Sequence, residues 1–220
     1  MIGMSPFLMN IAAAGVVALL NAQLLRYGGD YAVGAYGIVN RVSFLFFMVV
    51  FGINQGMQPI AGYNYGARQY ARVKEVYVKT AGWATLVMIV GFIIAEVFPK
   101  PAVSLFTPDP VLEGLAAKGF QIMSLAFPII GFQMVTTNLF QCLGMVNKSI
   151  FLSLSRQLLF LLPCIYILPA VLQSEAGVWY SFPISDTISA IVTALFGIGL
   201  LRKLSRLKDG DDPAILGSKI

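Results

Sequence analysis

Two ionisable residues, Arg41 and Asp186, lie inside long apolar runs of this 220-residue chain, where a charge is costly unless it meets protein, water or an opposite charge. An acid beside an arginine can act as a fixed staple between helices. It can also act as a proton-operated switch, because protonating the acid removes the attraction. Each residue sits about nine positions below the outer end of its run, roughly 13 Å deep at 1.5 Å per residue. The expectation is therefore that Arg41 and Asp186 contact each other or share a water-filled cavity. By the same count Glu96, at the outer interface, and Arg156, nearer the opposite side, are poorer partners.

Neutral polar and aromatic residues inside the runs suit binding rather than bond-making. Asn10, Ala14, Val17 and Asn21 follow helical spacing and form one small, polar stripe. Asn40, Phe44, Phe47, Phe51 and Asn54 share a broad face suited to flat, greasy cations, through cation–π attraction of roughly 0.5–2 kcal/mol per contact. Gln133, Thr137 and Gln141 repeat at i, i+4, i+8, with Pro128 placed to kink the helix before them. Such faces line cavities, but the same residue types also glue membrane helices together. Pro163, Pro169 and Pro183 likewise fit either static kinks or hinges.

Reaction chemistry finds no support. The chain has no His, and no Cys/His/carboxylate spacing that would hold zinc. H-E-x-x-H, G-x-S-x-G and Walker A patterns are missing, so neither an enzyme nor a metal site is expected. Cys142 and Cys164 fall inside apolar runs, where free Cys behaves as a small hydrophobe.

The elements that must hold these residues are membrane helices. Hydrophobic residues make up 58% and charged residues 11% of the chain, with a mean hydropathy of +0.79. Six runs reach the roughly 20 residues a bilayer crossing needs: Pro6–Leu25, Ala32–Gln55, Val76–Phe98, Gly119–Leu143, Ser149–Leu172 and Gly177–Leu201. Strand alternation is absent, so the expected fold is an all-α membrane protein, a six-transmembrane-helix bundle over residues 1–207 with a cytoplasmic tail over 208–220. The net charge of +5 sits in short connections rather than on a nucleic-acid-binding face. Arg68, Arg72, Lys74, Lys79, Lys148, Arg202, Lys203, Arg206, Lys208 and Lys219 occupy one set, against Arg26, Lys100 and Lys118 in the other. By the positive-inside rule the first set is cytoplasmic. The Asn147-Lys-Ser149 acceptor pattern on that side is therefore a chance match. Beyond Leu207 the tail, with Asp209-Gly-Asp-Asp-Pro213, is expected to be frayed and solvated.

The segment Gln55-Gly-Met-Gln-Pro-Ile-Ala-Gly-Tyr-Asn-Tyr-Gly-Ala67 closes the second run. Pro59 disfavours helical continuation, Gly62 and Gly66 permit close approach, and Tyr63 and Tyr65 suit the headgroup level. With Leu105-Phe-Thr-Pro-Asp109, Leu143-Gly144, Arg156, Pro163 and Val178-Trp-Tyr-Ser-Phe-Pro-Ile-Ser-Asp186, the chain resembles the second half of a multidrug and toxic compound extrusion (MATE) transporter. Gln58, Pro59, Gly62, Tyr63, Asn64, Gly66 and Ala67 carry the specific part of the motif. The resemblance implies one six-helix lobe of a twelve-helix antiporter in the inner (plasma) membrane. Such a transporter uses H⁺ or Na⁺ as coupling ion and no other cofactor, and exports organic cations or drugs by alternating access. Its partners would be membrane lipid and a missing N-terminal lobe. A lipid-linked saccharide flippase lobe and a non-transporting structural bundle are the alternatives. The run Pro6–Leu25 contains no acid, which points toward H⁺ coupling centred in the missing lobe.

Overall fold

The computed structural model describes the backbone over residues 4–211 and the side chains over residues 13–211. Eight α-helices carry these residues: α1 Met4–Gly66, α2 Tyr70–Val97, α3 Pro99–Ser104, α4 Pro110–Ser124, α5 Phe127–Cys142, α6 Val146–Leu154, α7 Leu162–Leu172 and α8 Ala176–Arg206, with a π turn, Ser155–Leu161, joining α6 to α7.

The 63 residues of α1 would measure about 95 Å if straight, three times the hydrocarbon thickness. The chain bends instead at Gly29, whose φ of 71° and ψ of −168° lie in a region essentially reserved for glycine. A Cβ on Gly28 would stand 2.5 Å from that of Ala32, against about 5–6 Å in a continuous helix. The expected loop over 26–31 is thus a single-residue break, and α1 is two membrane-crossing arms. The fourth crossing differs too. It begins at Pro110 rather than Gly119 and is bent by 56° between α4 and α5. Asp109 caps its start, accepting from Val111 N–H at 2.9 Å and Leu112 N–H at 3.4 Å, and Pro128 opens α5 just beyond the bend. Two arms of α1, α2, the bent α4–α5 pair, α6–π–α7 and α8 make the six crossings.

Small residues let the helices close on each other, the usual driving device where lipid is as apolar as the core. The buried face of α2 runs Tyr70, Val73, Tyr77, Thr80, Ala84, Met88, Gly91 and Ala95, at three- and four-residue steps. Gly131 of α5 lies where a Cβ would be 2.8 Å from the Ala84 carbonyl oxygen, and Gly177 of α8 where one would be 2.6 Å from the Pro169 backbone. Pro163 lacks the N–H that would bond residue 159, and the chain beside it adopts the wider π pattern, Leu162 N–H reaching Gln157 C=O.

At one end Gly28 approaches Glu175 and Gly34 approaches Leu112. At the other, the tail meets the start of α2, so the expectation of a frayed tail fails for residues 208–211. Gly210 N–H donates to Arg68 C=O at 3.0 Å, Tyr70 Oη to Asp211 C=O at 2.8 Å, and Ala71 N–H to Asp209 Oδ1 at 3.2 Å. The reason is electrostatic: α2 starts without a side-chain cap of its own, and its orphan N–H groups and dipole attract the acidic tail.

Candidate functional site

The second arm of α1 divides cleanly around its axis. Val39, Val42, Ser43, Val50, Asn54, Met57 and Ala61 are buried, while Asn40, Arg41, Phe44, Met48, Phe51, Gln55 and Pro59 are exposed. Where this exposed face meets α5, Gln55, Gln58, Pro59, Gln141 and Cys142 line a groove of about 450 Å³. Gln58 Nε2 donates to Asn138 Oδ1 at 3.1 Å, and Cys142 Sγ points to the same oxygen at 3.4 Å. The groove is therefore furnished with neutral amides, able both to donate and to accept.

The structure sorts the binding candidates. Phe44 and Phe51 stay open on the face, and Gln141 lines the groove. Phe47 instead packs on Phe127, ring centres 5.6 Å apart, and Asn54 is 2% exposed, so these two do not stand on the open face. Thr137 is half-buried. Gln133 is turned inward, its Nε2 donating to Ser189 Oγ of α8 at 2.5 Å, because each four-residue step overshoots a turn by about 40° and puts Gln133 about 80° round the helix from Gln141. Asn21 is half-buried and Val17 exposed, whereas the Asn10 side chain lies outside the described residues. In the motif, Tyr63 is exposed, Asn64 donates back to Ile60 C=O at 2.8 Å, and Ala67 N–H closes the helix on Tyr63 C=O at 2.9 Å. Gly62 passes the Cys142 carbonyl, leaving 3.9 Å to a would-be Cβ, and Gly66 ends α1 exposed.

The Arg41–Asp186 pair is not formed. Asp186, 7% exposed in its side chain, accepts from Arg156 Nε at 2.7 Å, while Arg156 retains 33% exposure. Depth counting failed because equal depth is not required. Gly177 against Pro169 sets the α7–α8 register. Nine residues on from Gly177 is Asp186, and nine back from Pro169 is Phe160, which leaves Arg156 one turn, about 5.4 Å, away. The long arginine side chain spans that turn. Arg41 remains exposed on the open face, and an unpaired arginine facing lipid there would cost about 2.5–3.5 kcal/mol or more.

Sequence reasoning missed the interior of α8. Ser181, Ser185, Ser189 and Thr193 are all buried at strict four-residue steps, a spacing that was visible. Ser189 meets α5 through Gln133, while Ser181 and Ser185 donate back to Gly177 C=O and Phe182 C=O; nearby, Tyr77 of α2 and Thr136 of α5 share a hydrogen bond at 2.9 Å. Among the described residues no cluster of metal-ligating side chains occurs.

The MatE family model matches residues 6–167. This chain belongs to the MatE family. Among curated proteins the MatE chain is similar to the multidrug export protein MepA of Staphylococcus aureus, 24% identical over 201 residues, and to MepA of Staphylococcus haemolyticus, 22% identical over 204 residues. These alignments cover 91% and 93% of this chain but 44% of each relative. The chain thus spans less than half the length of the curated relatives it matches. Among solved structures it resembles an outward-facing multidrug resistance MATE family transporter of the MOP superfamily, with a TM-score of 0.85 over 93% of this chain and 46% of that one at 22% identity. A MATE structure in the straight conformation matches equally, TM-score 0.85. The helical lobe of a membrane transporter, rather than an enzyme, is the architecture present.

Proposed function

We propose that this MatE chain is one lobe of an H⁺- or Na⁺-coupled antiporter that exports drugs or organic cations by alternating access. A second six-helix lobe would supply the opposite wall, with membrane lipid around both. The observation that carries this reading is the open face of α1 and α5, where Gln55, Gln58 and Gln141 line the groove and Phe44 and Phe51 lie exposed farther along α1. Within this lobe Asp186 holds Arg156 of the π turn at 2.7 Å, a contact between α8 and a local helix irregularity of the kind often found at functional sites. A pyrophosphate-carrying flippase needs several cations. Arg156 is committed to Asp186, so among the described residues of α1's second arm Arg41 is the one cation on the open face.

In this reading segments 62–79 and 202–220 lie in the cytoplasm and the membrane is the cell's inner (plasma) membrane; the positive-inside bias of the loops supports that orientation. Single cysteines at Gln69 and Gln173, in a background without Cys142 and Cys164, should give whole-cell labelling by an impermeant maleimide at 173 only. Labelling at 69 instead would invert the topology.

Expressed alone, the 220-residue chain should insert but leave ethidium efflux at background, whereas co-expression with a homologous first lobe should restore efflux. Gln141→Trp, which fills the groove, should abolish it. Efflux by the chain alone would remove the need for a partner lobe; no efflux from the pair would overturn the export reading.

A further inference from the structure

Arg41 lies on the open face with no carboxylate partner among the described residues, the membrane-embedded Asp186 being held by Arg156. Its position on the wheel is informative. Pro59, which lines the groove, is eighteen residues along and therefore in register after five turns of about 3.6 residues. Gln55 is displaced from that line by only about 40°, at roughly 100° per residue. Past Arg41 on the other side come the exposed apolar residues Leu45, Val49 and Ile60, the composition of a lipid-facing surface. Arg41 thus lies on the groove's side of α1, about 27 Å along the axis from the groove itself, bordered by the exposed apolar residues Phe44, Leu45 and Met48.

The ground around it is shaped for a small amphiphile. One turn away, Gly37 leaves bare backbone with nothing within 4 Å of a would-be Cβ. On the other side Phe44 and Met48 are 51% and 55% exposed, an apolar and polarisable floor. An exposed guanidinium beside such a floor matches an organic anion, a carboxylate or sulfonate on an aromatic body, which arginine can hold by charge-assisted, bidentate hydrogen bonds.

We propose that Arg41 forms an anion subsite in the substrate cleft, so that this lobe accepts substrates bearing a carboxylate or sulfonate on an aromatic body. The proposal rests on the reading of the open face as a cleft wall. Its chemistry is reversible binding with no bond made or broken.

The test is scintillation-proximity binding of radiolabelled 2-naphthoate to the 220-residue chain in phosphatidylcholine nanodiscs. Neutral 2-naphthalenemethanol and cationic 2-naphthylmethylammonium serve as competitors. Saturable naphthoate binding is expected, weakened about tenfold or more in Arg41→Gln and partly retained in Arg41→Lys. Since Arg41 has no side-chain partner to lose among the described residues, Arg41→Gln should keep the wild-type melting temperature, which separates lost binding from lost folding. Equal naphthoate binding by wild type and Arg41→Gln, or stronger competition by the cation than by unlabelled naphthoate, would overturn the proposal. So would Arg41-dependent binding that vanishes when phosphatidylglycerol replaces phosphatidylcholine, because Arg41 would then hold a lipid headgroup. Failure here with ethidium efflux still blocked by Gln141→Trp would leave the export reading intact.

Discussion

Asp186→Asn is expected to lower the stability of the bundle in detergent by about 2–3 kcal/mol, a fall of roughly 4–12 °C in melting temperature for a chain of this size. The substitution keeps volume and removes only the charge that Arg156 meets at 2.7 Å. Arginine cannot neutralise itself by losing a proton, so the guanidinium is left uncompensated. Stripping one partner from a fully buried pair costs about 3–5 kcal/mol; the 33% exposure of Arg156 lets it reach toward polar surroundings and trims the loss. A double-mutant cycle of Arg156→Ala and Asp186→Ala should give a coupling above about 1 kcal/mol, whereas Arg41→Ala and Asp186→Ala should add to within about 0.5 kcal/mol. Additive losses for the first pair would mean that Arg156 and Asp186 do not hold each other.

A second large effect is expected where α2 meets α5. A side chain at Gly131 would strike the Ala84 carbonyl oxygen at 2.8 Å and Thr85 Cα at 2.9 Å, and backbone on a packed helix cannot rotate aside. Gly131→Val must push the two helices apart, at about 3 kcal/mol or more, the upper end of overpacking costs. Size-exclusion chromatography should then show aggregate in place of a monodisperse peak. Gly82, on the same helix as Ala84 but with nothing within 4 Å, is the control. Gly82→Ala should be stable and gain about 0.5–1 kcal/mol from helix propensity. A Gly131→Val protein that melts with the wild type would show that these helices do not touch so closely.

The crossings were legible because membrane insertion imposes a length and a hydrophobicity on each of them, and the fifth run, Ser149–Leu172, misses the observed Val146 start by only three residues. Breaks were less legible. Gly28-Gly29 sits between two apolar runs as any loop glycines would, and nothing in residue type announces that one φ of 71° suffices to turn the chain. Pro128 did mark a bend, but its 56° magnitude depends on how α4 and α5 wrap α2. Side-chain pairing was the hardest to read. Asp186 and Gln133 were both recognised as polar residues that lipid would not tolerate, yet their partners, Arg156 and Ser189, follow from interhelical register, which a helix's own sequence does not encode. Open positions fared better: Phe44, Phe51 and Gln141 required only that their helix turn one face outward.

The docking of residues 209–211 on the start of α2 also has a meaning in time. Ala71 N–H receives its acceptor from Asp209, 138 residues later. At a synthesis rate of about 5–20 residues per second, that acceptor emerges some 7–28 s after the helix it caps. Throughout that interval α2 stands with its first-turn donors served by water or lipid headgroups, and any translational pause in the last crossing lengthens the exposure. Residues 209–211 thus close a junction opened near the first third of these 220 residues, long after α2 itself has been made.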